Sequence, residues 1–274
     1  MTESRAWVDR IVRVTDYIQT HLDEELAPEH LAGIAEFSLH HFHRVFRGIT
    51  GESVMGYVRR LRLERAAQRL KFGGESVTDV AMASGYGSHE AFTRAFTSQF
   101  GTAPSAYRER ERTSFEGDPS FFLREESERH CLSMRHTGSY LECGPVWAQL
   151  ERVAAGAGLM RHVLASSALC YDDPDVTRSE HLRYDACLVM PMASWPMVLP
   201  AGCTQRTIPA GRYAVAVHRG SFDTLLDTYV KLMGHYLPTR GVELVDEPVV
   251  ETYLTDPART APQDLRTEVS VRIA

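Results

Sequence analysis

Two internal repeats, unrelated to each other, divide this chain and limit what it can fold into. In the first, residues 44–57 (RVFRGITGESVMGY) match residues 94–107 (RAFTSQFGTAPSAY) at an offset of 50. Arg44, Phe46, Gly51 and Tyr57 recur as Arg94, Phe96, Gly101 and Tyr107. Upstream the offset is 49, and Leu31, Ala32 and Phe37 recur as Val80, Ala81 and Tyr86. In the second repeat, His136–Tyr140 (HTGSY) matches His218–Phe222 (HRGSF) at an offset of 82, as do Trp147 with Tyr229 and Leu150 with Leu232. Residues 172–185 then match residues 255–268 at an offset of 83. A chain of 274 residues holding two different duplications is expected to form two domains.

Each copy of the first repeat reads as helix–turn–helix. Pro28 suits a helix start, where its missing N–H is not needed. Leu31, Ile34 and Ala35 give that helix an apolar face, and Ser38 can cap the next one. There Phe42, Val45, Phe46 and Ile49 recur at helical spacing, and Gly51 stops the run. In the second copy Val77, Val80 and Ala81 open the pattern, Gly85 breaks it, and Ser88 caps a helix containing Ala91, Phe92, Ala95 and Phe96. The polar residues of both second helices fall on the opposite face: His40, His43 and Arg44 in one, His89, Glu90, Thr93 and Arg94 in the other. Residues 53–72 between the copies predict one helix, a rod of roughly 30 Å at ~1.5 Å per residue. Successive major grooves on one side of a duplex lie ~34 Å apart. One chain could therefore present two recognition helices where a dimer is usually needed.

Charge points the same way locally. Residues 1–112 carry 15 basic and 15 acidic groups, whereas residues 113–274 carry 15 and 21. Within the neutral first part, residues 44–71 hold eight basic groups and two acids, a stripe suited to phosphate. His40, His41 and His43 crowd one turn, but a structural metal site normally needs four ligands and none is expected here.

Residues 7–110 resemble the DNA-binding domain of AraC/XylS-type regulators. The resemblance rests on residues 77–108, VTDVAMASGYGSHEAFTRAFTSQFGTAPSAYR. It implies that the helices after Ser38 and Ser88 each enter a major groove of double-stranded DNA. His40, His43 and Arg44 would then reach bases or phosphates from the first, and His89, Glu90, Thr93 and Arg94 from the second. Arg can grip guanine, and Glu can accept from cytosine.

Past a charged, turn-rich stretch the pattern becomes strand, helix, strand, strand, twice over. The expected domains are 1–112, a linker at 113–119, and 120–274. Two such units predict an α+β layer: one antiparallel sheet with two helices packed on it. The order of elements and the closing residues 253–273 (YLTDPARTAPQDLRTEVSVRI) resemble the GyrI-like small-molecule-binding domain, an SHS2-type fold. The resemblance implies a pocket between the halves for amphipathic or cationic molecules, faced by a last-strand glutamate whose place here is Glu268. Alternation puts Glu268, Ser270 and Arg272 on one face of that strand, opposite Thr267, Val269, Val271 and Ile273, so the helices are expected on the apolar side and Glu268 on the open face. The competing reading is a surface pair of Glu268 with Arg272. Tyr140, Trp195, Phe222 and Tyr253 are the candidate aromatic walls, Trp147 and Tyr229 on predicted helices read as core, and Asp185 is the weaker counterpart of Glu268.

The chain is thus expected to be a non-enzymatic, cytoplasmic transcription regulator, with a small-molecule effector and RNA polymerase as a further candidate partner. No cofactor or membrane contact is expected. Five cysteines without CxxC spacing read as free thiols, and no apolar run reaches the ~20 residues of a membrane helix. The alternatives are that the C-terminal domain hydrolyses reactive small molecules, with Glu268 and either Tyr140 or Tyr253 activating water, or that it binds a protein partner.

Overall fold

The computed structural model describes residues 2–72, 75–110 and 121–274. The chain divides into two compact units, Met1–Glu111 and Arg112–Ala274. The expected linker at 113–119 lies outside the described residues.

The first unit is all helix: α1 (Thr2–Thr20), α2 (Pro28–Ile34), α3 (Leu39–Thr50), α4 (Val54–Phe72), α5 (Val77–Ala83), α6 (His89–Phe100) and α7 (Pro104–Arg110). Its boundaries follow local chemistry. Pro28 occupies the first turn of α2. Ser38 and Ser88 cap α3 and α6 by accepting from the backbone N–H of His41 and Ala91. Gly51 (φ 81°) and Gly101 (φ 71°) end the same two helices in the left-handed conformation.

The duplication extends into the core. Phe42 and Phe46 stand 5.5 Å apart, and so do Phe92 and Phe96. Phe46 meets Tyr57 edge-on at 5.4 Å, and Phe96 meets Tyr107 at the same distance. One aromatic triad is therefore built twice, and it holds α3 and α6 in equivalent settings. The connecting helix α4 packs against α3 of the first copy and against α5, α6 and α7 of the second. It buries Val54, Tyr57, Val58 and Leu61, then Leu63, Ala66, Ala67 and Leu70.

The second unit is an eight-stranded antiparallel sheet with helices on one face. The strands are β1 (Phe121–Glu126), β2 (Arg129–Thr137), β3 (Ala165–Cys170), β4 (Arg183–Met190), β5 (Thr204–Ile208), β6 (Gly211–Arg219), β7 (Val249–Tyr253) and β8 (Arg266–Arg272). The order across the sheet is β1-β6-β8-β7-β3-β4-β2-β5. Helix α8 (Gly144–Gly156) covers Leu132, Met134, Ala168 and Ala186 through Val146, Leu150 and Ala154. Helix α9 (Leu225–Lys231) runs on through a π-helical turn, Leu232–Tyr236, and covers Ala214, Ala216, Val269 and Val271.

Three features go beyond the sequence reading. Each half has a fourth strand, β1 or β5, and these leading strands are exchanged: β1 pairs with β6 and β5 with β2. The halves meet at β3 and β7, where Ser167 faces Thr252, Ala168 faces Glu251 and Leu169 faces Val250. Ala168 and Glu251 are also equivalent in the repeat (offset 83), so a pseudo-two-fold axis passes between them. Finally, the sheet is rolled. Only two residues join β5 to β6, though six strand spacings separate them in the sheet. A flat sheet would need ~29 Å there, and three residue steps reach only about 11 Å. The face without helices is therefore an interior. It buries Cys131, Leu169, Cys187, Val189, Ile208, Tyr213, Val215 and Val250. The expectation that Glu268 lies on an open face is corrected on this point.

Candidate nucleic-acid interface and ligand site

In the helical unit, α3 and α6 turn Phe42, Val45 and Phe46, and Phe92 and Phe96, inward. Their other faces carry the candidate residues. His40, His43 and Arg44 are exposed on α3, and His89, Glu90 and Arg94 on α6. His41 instead lies edge-on to Trp7 and tilted against Phe37. Thr93 is half-buried, and its hydroxyl is shielded from solvent without a partner among the described residues, so it is the least presented of the seven. Glu90 is held below the usual carboxylate range by hydrogen bonding to its own backbone N–H and to Ser88, so it stays an acceptor.

The basic stripe is largely consumed within the fold. Arg60 pairs with Glu52 and Glu64, Arg65 with Asp23, and Arg69 with Glu75. Arg62 donates to the carbonyls of Leu22 and Glu24 at 2.9 and 2.7 Å, tying α4 to the turn that follows α1. Lys71 is buried. Arg44, Arg47 and Arg59 remain exposed. Arg47, which sequence reasoning passed over, extends the polar face of α3 by one turn beyond Arg44.

In the sheet unit the five ligand candidates do not form one site. Glu268 pairs with Thr252 across β7 and β8, whereas Glu251 pairs with Val269, so the two glutamates point to opposite faces. Glu268 is buried inside the roll and accepts from Arg124 of β1 at 2.6 and 3.2 Å. Arg272, its expected neighbour, pairs with Glu247 instead. Trp195 packs near His130 at the Met190 end of β4, six residues along β2 and β4 from Tyr184, or about 20 Å.

The aromatic residues gather around Glu251, which sequence reasoning missed. Tyr229 of α9 donates to one carboxylate oxygen at 2.5 Å, and Tyr253 to the other at 2.9 Å. Tyr253 and Tyr184 share a hydrogen bond of 2.6 Å, and the Trp147 indole donates to Tyr184 at 2.8 Å. An indole N–H can only donate, and an ionised carboxylate can only accept. The chain therefore runs one way, from Trp147 through Tyr184 and Tyr253 to Glu251. The Tyr253 ring lies edge-on to Trp147 and to Phe222, 5.7 Å from each. Tyr140 stacks obliquely on Tyr184 at 5.6 Å, but its hydroxyl is fixed to the carbonyls of Asp172 and Arg183. Burial pushes Glu251 above the usual carboxylate range, opposed by its bonds to Tyr229 and Tyr253. Burial also pushes both phenols well up, so they remain donors. The arrangement can hold one negative charge among aromatic faces, with Trp147, Phe222, Tyr229 and Tyr253 half-buried at its rim. The available signal was an acid in an apolar strand (VVETY) whose repeat partner is Ala168.

Together these features define a tandem helix-turn-helix unit joined to a duplicated α+β domain. Residues 120–274 match the GyrI-like small molecule binding domain, and residues 31–110 match a helix-turn-helix domain. The chain belongs to the GyrI-like family and carries an AraC-type helix-turn-helix head. It is similar to the HTH-type transcriptional regulator YbfP of Bacillus subtilis (strain 168), 36% identical over 98 residues, which is 36% of this chain and 33% of that one. It is also similar to the right origin-binding protein of Escherichia coli (strain K12), 34% identical over 92 residues, 34% of this chain and 32% of that one. The regulatory protein SoxS of Escherichia coli (strain K12) is 35% identical over 94 residues, 34% of this chain and 88% of that protein. The matched region spans about a third of the first two relatives. No described helix is long and apolar enough to cross a membrane.

Proposed function

We propose that the protein is a one-component transcription regulator of the cytoplasm. Its head binds an asymmetric duplex site with α3 and α6 in successive major grooves. The observation that carries this reading is the twice-built aromatic triad, which gives two capped helices the same setting and leaves a polar face exposed on each. His40, His43, Arg44 and Arg47 act from α3, and His89, Glu90, Thr93 and Arg94 from α6. A duplex selected from a random pool and footprinted with the protein tests it. Protection of two major-groove segments one helical turn apart is expected, and protection of a single segment contradicts it.

The C-terminal domain binds a small amphipathic or cationic effector at Glu251, between Trp147, Phe222, Tyr229 and Tyr253. An effector alters DNA binding only if it binds the two states of the regulator unequally. RNA polymerase is the partner such a regulator would recruit or exclude. Hydrolysis is the rival activity, with Glu251 and Tyr253 on water. Both oxygens of Glu251 already accept phenol protons, which favours charge recognition over water activation. Saturable thermal stabilisation by a cation without turnover supports an effector site; turnover supports a hydrolase.

A further inference from the structure

The pseudo-two-fold axis constrains where a ligand's charge must sit. Ala168 and Glu251 are the residues nearest that axis on the helix-bearing face, and only one of them is charged. Four of the aromatic residues form two equivalent pairs about it, whereas Tyr184 and Tyr253 have Thr267 and Cys170 as counterparts. Trp147 of α8 and Tyr229 of α9 correspond at offset 82, and both donate hydrogen bonds into the cluster. Tyr140 and Phe222 correspond at the same offset, and each approaches a tyrosine of the cluster, Tyr184 at 5.6 Å and Tyr253 at 5.7 Å. The carboxylate is therefore central, and apolar walls extend from it toward both helices.

Resting on the cationic reading of this site, we propose that its ligands carry their charge at the centre, with apolar arms on both sides, rather than at one end of a single chain. A central cation meets Glu251 while one arm lies toward Trp147 of α8 and the other toward Phe222 and Tyr229 beside α9. A cation with one long tail fills only one side. If the tail occupied both sides, the charge would be carried away from the axis. Ala168, the counterpart of Glu251 beside the axis, adds no second charge. The hydrogen bonding of Glu251 reinforces the choice. Each oxygen is already capped by a phenol, so the site offers a field and aromatic faces rather than free acceptors.

Two isomeric quaternary ammonium ions isolate the effect. Dihexyldimethylammonium holds its charge between two arms, and undecyltrimethylammonium holds the same charge at one end of one chain. Each is titrated calorimetrically into the full-length protein below its aggregation threshold. The dihexyl isomer is expected to bind about tenfold tighter, and Glu251→Gln is expected to weaken it strongly. Equal affinities, or tighter binding of the undecyl isomer, overturn the central-charge proposal and leave the cationic site standing. Binding of neither ion overturns both.

Discussion

Arg124 on β1 reaches across β6 to hold Glu268 on β8, and Arg206 on β5 reaches across β2 to hold Asp185 on β4 in the equivalent way. Arg124 stands opposite Tyr213 and Arg206 opposite Cys131, positions related by the offset of 82. The two arginines are thus one residue repeated, as are Asp185 and Glu268. Each pair staples an exchanged leading strand to the strand two places in. Two acids at matching strand positions persist because each half needs its staple.

Breaking a staple by removing one partner should therefore destabilise the sheet domain. Arg206→Ala leaves Asp185 with Arg135 and Tyr171, while Asp185→Asn removes the negative charge shared by both arginines and turns one acceptor into a donor. The second change is expected to cost about 3–5 kcal/mol. Urea denaturation measures both, with Asp185→Asn the larger loss.

The same carboxylate sets an acid limit. Although burial opposes ionisation of Asp185, Arg135 and Arg206 hold it well below its ordinary value of 3.8. A depressed carboxylate gives stability above its unfolded pKa and loses it as pH falls through the folded one. The stability gap between the wild type and Asp185→Asn should be constant at neutral pH and shrink below about pH 4.

Glu251 titrates with the opposite sign. Its folded pKa lies above the ordinary 4.5, so it takes up a proton at a pH where an exposed glutamate is still ionised. The affinity of a quaternary ammonium ligand should fall on acidification with a midpoint above 4.5. Calorimetric titration between about pH 4 and pH 8 gives that midpoint, and a pH-independent affinity would count against Glu251.

Glu36 is the only non-glycine residue with positive φ among those described (55°), and it fills the place that Gly85 (φ 78°) holds in the second copy. Arg10 and Arg13 bind its exposed carboxylate, at 3.4 and 3.3 Å. Exposed pairs contribute about 0–1 kcal/mol, and a left-handed non-glycine costs about 1–2. Glu36→Gly should leave the head equally or slightly more stable. Gly85→Ala should destabilise it, because its Cβ would come within 3.1 Å of the Arg62 guanidinium. Thermal unfolding distinguishes the two.

The sequence made legible whatever was local or repeated. Ser38, Gly51, Ser88 and Gly101 marked the recognition helices through cap chemistry, and the alternation in β8 identified its apolar face. Strands β1 and β5 escaped because they are short, mixed in polarity and paired with the opposite half. The partner of Glu268 escaped because Arg124 lies 144 residues away. Glu251 escaped because its tyrosines come from α9 and from two strands, and only the fold brings them together.

The claim that two helices of one chain read duplex DNA is tested most directly at Arg94, exposed on α6 and repeated as Arg44 on α3. Affinity for a selected duplex is measured against salt concentration for the wild type and for Arg94→Ala. If Arg94 meets the duplex, the variant binds more weakly, and a phosphate contact also makes the salt slope shallower by about one ion. Unchanged affinity and unchanged slope would remove α6 from the DNA interface.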